Sequence, residues 1–196
     1  MSQRSAVIRR RTLETDIEMV LSLDGTGSSR FDSGIPFMDH LLSQTVFFGM
    51  FDLSGSARGD LEVDAHHTLE DTALCLGSAI ASAMGDRTGI RRFGWACIPM
   101  DDALVSVSVD AGGRPWAGFS GRLPGRMPGG IEPELIEHFI RSFAFSASVT
   151  LHVEVREGRD PHHVSEALFK ALGVALREAL EADPRRSGTA STKGAS

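Results

Sequence analysis

DAHHTLED occupies residues 64–71 and DPHHVSEA residues 160–167, so a chain with 7 histidines places four of them in two adjacent pairs, each followed by a glutamate. Each segment opens as a helix should. Asp160-Pro161 supplies a capping carboxylate and a proline for the first turn, where the missing N–H is not needed, and Asp64 can cap in the same way. Beyond the histidines, Ala73, Leu76, Ile80 and Ala83 recur at helical spacing, as do Val164, Leu168, Leu172 and Ala175. This predicts two amphipathic helices, each with a histidine pair in its first turn.

The rest of the chain repeats in the same order. TDIEMVLSLDG (residues 15–25) alternates Ile17, Met19, Leu21 and Leu23 on one face, and ALVSVSVDAGG (103–113) alternates Val105, Val107 and Val109. Both read as half-buried strands that enter a turn, at Asp24-Gly25 and at Gly112-Gly113. Helical stretches with an acidic residue and a histidine follow: MDHLLSQTVFF with Asp39-His40, and IEHFIRSFAF with Glu137-His138. A further strand is expected in each half, at LEV (61–63) and at LHVEV (151–155), ahead of the histidine pairs. Such self-similarity predicts an α+β fold with an internal duplication: two similar halves, each a small, mostly antiparallel sheet with helices packed on one face. The expected boundaries are 1–95 and 96–183, forming one structural unit, then a flexible C-terminal tail over 184–196. GRLPGRMPGG at 121–130 distinguishes the second half and reads as a mobile loop.

Composition excludes several classes. A hydrophobic fraction of 41% and a charged fraction of 23% are those of an ordinary globular protein. The net charge of -6 and the absence of tyrosine argue against a nucleic-acid binder, which needs basic surface and stacking aromatics. No apolar run suggests a membrane partner and no secretory signal is visible, so the expected address is the cytoplasm. Cys75 and Cys97 fit a reducing compartment and are assigned no chemistry. Arginine is locally dense around residues 8–11 and 86–94 and in the tail, which suits a small anionic ligand such as a phosphate ester.

On a helix, residues four apart lie over one another, so His66 with Glu70, and His162 with Glu166, each aim a nitrogen and an oxygen at one point. Adjacent residues diverge by about 100°, so His67 and His163 must serve some other point. If the two helix starts approach, His163 completes the site begun by His66 and Glu70, and His67 the one begun by His162 and Glu166. His40 and His138 then supply a fourth ligand to each, and only His152 is left over. Imidazole and carboxylate donors without thiolate suit a divalent manganese, iron or zinc ion at an open site.

The combination of HHTLED, HHVSEALFKA, FMDHLL, GIRRFG, a GGRP turn and a terminal STKG resembles the imidazoleglycerol-phosphate dehydratase family, lyases of histidine biosynthesis. The likeness runs from about residue 9 to the tail. It implies Mn2+, two ions per active site, on the sets His40, His66, Glu70, His163 and His138, His162, Glu166, His67. It also implies a large symmetric homo-oligomer, a 24-mer, with active sites between subunits and a small-molecule phosphate ester as substrate. The implied reaction converts imidazoleglycerol phosphate to imidazole acetol phosphate and water. The substrate has no carbonyl to acidify a C–H, so its imidazole serves as electron sink and metal ions favour the imidazolate. The ring then expels the hydroxyl from the adjacent carbon through a diazafulvene-like intermediate, and proton loss gives an enol that tautomerises. Glu14 matches the family's acid/base glutamate, acting with His66, His67, Glu70, His162, His163 and Glu166 as the catalytic set. Arg92, Arg114, Lys170, Ser191 and Lys193 match the phosphate-binding positions, although Thr192 separates the last two. Asp101 and Asp102 are rival carboxylates that a turn before residue 103 explains adequately. Rival functions are a two-metal phosphate-ester hydrolase, metals that merely staple an oligomer, and an RNA-binding module.

Overall fold

The computed structural model describes residues 4–193. The last three residues of the tail, with the glycine of STKG, lie outside them. The first half contains β1 (Ser5–Arg11), β2 (Thr15–Ser22), β3 (Ser29–Asp32), α1 (Pro36–Gly49), β4 (Asp52–Gly59) and α2 (His66–Met84). The second repeats the order with β5 (Phe93–Met100), β6 (Ala103–Asp110), β7 (Trp116–Ser120), α3 (Pro133–Ala147), β8 (Thr150–Glu157) and α4 (Pro161–Leu180). Two four-stranded sheets result, ordered β1-β2-β4-β3 and β5-β6-β8-β7. In each, two strand pairs are antiparallel and the last strand joins in parallel. The expected duplication and α+β class are as observed, with one parallel pair per sheet added.

The alternation at 15–23 and 103–109 does what its period requires. Ile17, Met19, Leu21 and Leu23 are buried, as are Val105, Val107 and Val109, so each central strand turns one face to the helices. Residues 61–63, expected as a strand, instead form a turn in which Leu61 and Val63 are exposed, and the strand lies at 52–59. Its sequence, DLSGSARG, has no β-branched residue, so propensity hides it. Gly55 in it has φ +135°, and a Cβ there would stand 2.0 Å from the carbonyl oxygen of Glu18 on β2, so the pairing requires a glycine. The segment 121–130 contains only a 3₁₀ turn at Pro128–Gly130, and Leu123 and Met127 anchor it in the core.

Helices pair across the duplication. α2 lies on its own sheet and crosses α3, while α4 lies on the other sheet and crosses α1. The crossings are close because glycine occupies both. A Cβ on Gly77 would stand 2.6 Å from Phe143 O, and one on Gly173 2.4 Å from Thr45 O. Around them, Ser78 and Ser146 hydroxyls lie 2.8 Å apart and the Thr45 hydroxyl donates to Phe169 O at 2.9 Å. A wedge at such a contact costs roughly 1–3 kcal/mol. Gly77→Val is expected to lower the thermal midpoint by about 2–12 °C. Gly188→Ala, which meets nothing within 4 Å, should leave it unchanged. Calorimetry of the two variants checks this. No described helix is long and apolar enough to cross a membrane.

Candidate metal centre

The helix crossings assemble two similar clusters. In one, His40 Nε2 from α1 and His162 Nε2 from α4 each lie 3.0 Å from the same Glu166 oxygen. In the other, His66 Nε2 from α2 lies 3.6 Å from Glu70 Oε2, and His138 Nε2 from α3 lies 3.3 Å from Glu70 Oε1. In each trio one donor atom per residue falls within 4.8 Å of the other two. The i,i+4 clips therefore form as expected. The fourth-ligand assignment is reversed: His40 joins His162 and Glu166, and His138 joins His66 and Glu70. The physical reason is the pairing of α1 with α4 and α2 with α3, which sequence spacing within a half cannot reveal.

Local structure fixes these side chains. Asp160 accepts from the backbone N–H groups of His162 and His163, capping α4, and Asp64 accepts from His66 N at 2.7 Å. Asp39 accepts from Ser33 N at 2.8 Å and from its hydroxyl at 2.6 Å, tying the start of α1 beside His40 to the end of β3. Glu166 is buried, which raises its carboxyl, but the Lys170 ammonium at 2.7 Å and the two imidazoles outweigh burial and bring it down to about 2. The carboxylate is thus ionised and ready to ligate. His138 Nε2 is buried and, although 3.3 Å from Glu70 Oε1, makes no hydrogen bond, a position that a shared cation would satisfy. Nitrogen and oxygen donors around a buried ring nitrogen that has no hydrogen bond fit a first-row divalent ion.

His67 and His163 join neither trio of their own chain. His67 Nδ1 meets Asp60 at 3.1 Å, and its Nε2 lies 3.8 Å from Glu14 Oε1. His163 Nδ1 meets Asp102 at 2.7 Å, and its Nε2 lies 3.5 Å from Asp101. The aspartate bonds raise both imidazoles above the ordinary range, and the His163 bond, then the N–H groups of Arg159 and Asp160, lower Asp102. Within one chain, His163 does not complete the His66 cluster, nor His67 the His162 cluster. Sequence reasoning missed Asp60 altogether and left Asp102 to a turn. No periodic signal marks Asp60, which sits beyond a turn from the helix it serves.

His40 and His162 of one cluster and His66 and His138 of the other line a shared cavity of about 1280 Å³, with Pro128–Gly130 of the Gly/Pro-rich segment on its wall. Arg92 and Arg114 converge on Asp110: Arg92 as a bidentate pair at 2.6 and 2.9 Å, Arg114 at 3.9 Å. Arg92 also donates to Ala190 O at 2.6 Å, next to Ser191 in the chain, and the Ser191 hydroxyl accepts from Lys193 N at 3.2 Å. Lys170 is elsewhere, on Glu166 and over the Phe48 ring. No hydrogen bond or ion pair among the described residues joins the Arg92 group to either cluster. His152 packs over Gly118 on β7, away from both clusters.

Residues 33–176 match the family model described as imidazoleglycerol-phosphate dehydratase. The chain is 50% identical over 191 residues to the imidazoleglycerol-phosphate dehydratase of Moorella thermoacetica, covering 97% of each. It is 52% identical to that of Gluconacetobacter diazotrophicus, again over 97% of both chains. Crystal structures agree. IGPD from Pyrococcus furiosus, solved in complex with (S)-C348, superposes with a TM-score of 0.84 at 33% identity, covering 96% of this chain and 100% of that one. The Staphylococcus aureus imidazoleglycerol-phosphate dehydratase gives 0.81 at 30% identity, covering 91% and 99%.

Proposed function

Because the chain belongs to the imidazoleglycerol-phosphate dehydratase family, hydro-lyases of histidine biosynthesis, we propose that it dehydrates imidazoleglycerol phosphate to imidazole acetol phosphate with two Mn2+ ions per active site. The observation that carries the metal part is the matched pair of clusters, one with an ionised buried glutamate and the other with a buried imidazole nitrogen that has no hydrogen bond.

One ion would sit on His40, His162 and Glu166, the other on His66, Glu70 and His138. The fourth ligands would be His67 and His163 of the partner subunit, in a large symmetric cytoplasmic homo-oligomer, a 24-mer by family likeness. In favour of sharing, the Nε2 atoms of His67 and His163 are left outside the clusters of their own chain. Divalent ions there would supply Lewis acidity to the nitrogens of the substrate's ring.

The chain's own residues do the rest. The histidines and glutamates orient the ring by fixing the ions. Glu14, on the exposed turn between β1 and β2, is the acid/base group: it gives a proton to the departing hydroxyl, which leaves as water, and takes the proton then lost from the next carbon, which restores it. Arg114, Lys193 and Ser191 bind the phosphate. Arg92, held by Asp110, anchors the tail beside them and contributes guanidinium charge, and Lys170 adds its charge from the Glu166 side.

The test is to strip the metal with a chelator and supply imidazoleglycerol phosphate. Ketone should disappear, return with Mn2+, and be accompanied by no inorganic phosphate. Release of phosphate would mark a hydrolase, and unchanged turnover in the stripped protein would reduce the metals to assembly.

A further inference from the structure

Two carboxylates outside both clusters hold the two rings that the clusters leave over. Asp102 Oδ1 lies 2.7 Å from His163 Nδ1, and the Asp60 oxygens lie 3.1 and 3.2 Å from His67 Nδ1. An ionised carboxylate only accepts, so Nδ1 carries the hydrogen in both rings and the lone pair of each neutral ring falls on Nε2. Resting on the metal reading above, we infer that Asp60 and Asp102 are positioning residues that set the tautomer of His67 and His163, presenting each Nε2 as a metal donor. A carboxylate behind an imidazole both fixes the ring's direction and strengthens its donor atom.

The halves reach this arrangement by different routes. Glu14 directly precedes β2 and Asp102 directly precedes β6, so the two are counterparts in the duplication. Asp60 directly follows β4, and its counterpart after β8 is Gly158. No side chain fits at 158: φ is +143° and a Cβ would stand 2.2 Å from Val164 Cγ2. In the first half, then, Asp60 orients the imidazole and Glu14 stays available for proton transfer. In the second, orientation falls to Asp102, the position that corresponds to Glu14.

The two aspartates are anchored differently, and that separates tautomer control from charge. Asp102 Oδ2 accepts from Arg159 N at 2.6 Å and Asp160 N at 3.1 Å. In Asp102→Asn the amide oxygen must keep those two donors, because an NH2 there would face N–H groups. The NH2 is thereby turned toward His163 Nδ1, which forces the ring hydrogen onto Nε2 and closes it to metal. Asp60 has no other side-chain hydrogen bond among the described residues, so the amide of Asp60→Asn can rotate and still offer its oxygen to Nδ1–H.

The experiment uses the intact protein labelled with 15N-histidine, at a pH where the imidazoles are neutral, followed by titration with Mn2+. Metal-free wild type should show the Nδ1–H form for His67 and His163, and Asp102→Asn should switch His163 to the Nε2–H form at an unchanged thermal midpoint. Asp102→Asn should bind Mn2+ at the affected sites about 10–100-fold more weakly, and Asp60→Asn within about threefold of wild type. Equal losses in the two variants, no loss in Asp102→Asn, or an Nε2–H form in the wild type would each overturn the inference. Wild-type protein that shows the assigned tautomers but takes up no Mn2+ would instead overturn the metal reading on which it rests.

Discussion

His162→Ala is expected to lose one metal ion per chain and turnover together, with activity down on the order of 10³-fold or more, the scale of several kcal/mol of Lewis-acid stabilisation. The geometry explains why one imidazole matters so much. His162 and His40 address the same Glu166 oxygen at 3.0 Å, and a chain without His162 offers only two donors to that ion. Lys170 Nζ already holds the other Glu166 oxygen at 2.7 Å, so the freed carboxylate is drawn toward an ammonium rather than toward a cation from solution. Half-exposed and at the first turn of its helix, His162 contributes little to the core, and the fold should survive its removal. Metal content by mass spectrometry after gel filtration, read beside ketone formation, decides the matter. A variant that lost the ion yet kept wild-type turnover would make the metal structural.

What could be read without coordinates, and what could not, divides along the range of the interactions. The clips His66/Glu70 and His162/Glu166 depend only on the rise and turn of a helix, and the Asp160 cap depends on neighbours in the chain, so both were legible. The core faces of β2 and β6 were equally legible from a period of two. β4 was not, because its glycine and serines answer to the approach of β2 rather than to strand propensity. The partner of His40 was not legible either. It is decided by Gly173 letting α1 lie against α4 and by Gly77 letting α3 lie against α2, contacts that join residues more than 60 positions apart. The same holds for Arg92, which the family likeness places on phosphate and which the fold engages with Asp110 and the Ala190 carbonyl.

Glu14→Gln should separate proton transfer from metal binding: turnover falls by about 10²–10⁴-fold while metal content and thermal midpoint stay at wild-type values. The backbone of the turn is held independently of the Glu14 side chain. The Thr12 hydroxyl accepts from Glu14 N at 3.0 Å and Thr15 N at 2.9 Å, and Thr12 N donates to Thr15 O at 2.8 Å. Behind it, the Thr15 hydroxyl donates to buried Asp71 at 2.5 Å, which also takes Arg10 Nε at 2.8 Å. The hairpin is therefore fixed to α2 while the Glu14 carboxyl projects half-exposed, 3.8 Å from His67 Nε2. Glutamine keeps the length and hydrogen-bonding oxygen of that side chain but cannot take up and return a proton. If ketone formed at the wild-type rate with Gln at this position, the acid/base role would pass to another carboxylate, and Asp101, 3.5 Å from His163 Nε2, would be the first to replace. If instead metal were lost along with turnover, Glu14 would be acting through His67 on the ion rather than on the substrate's proton.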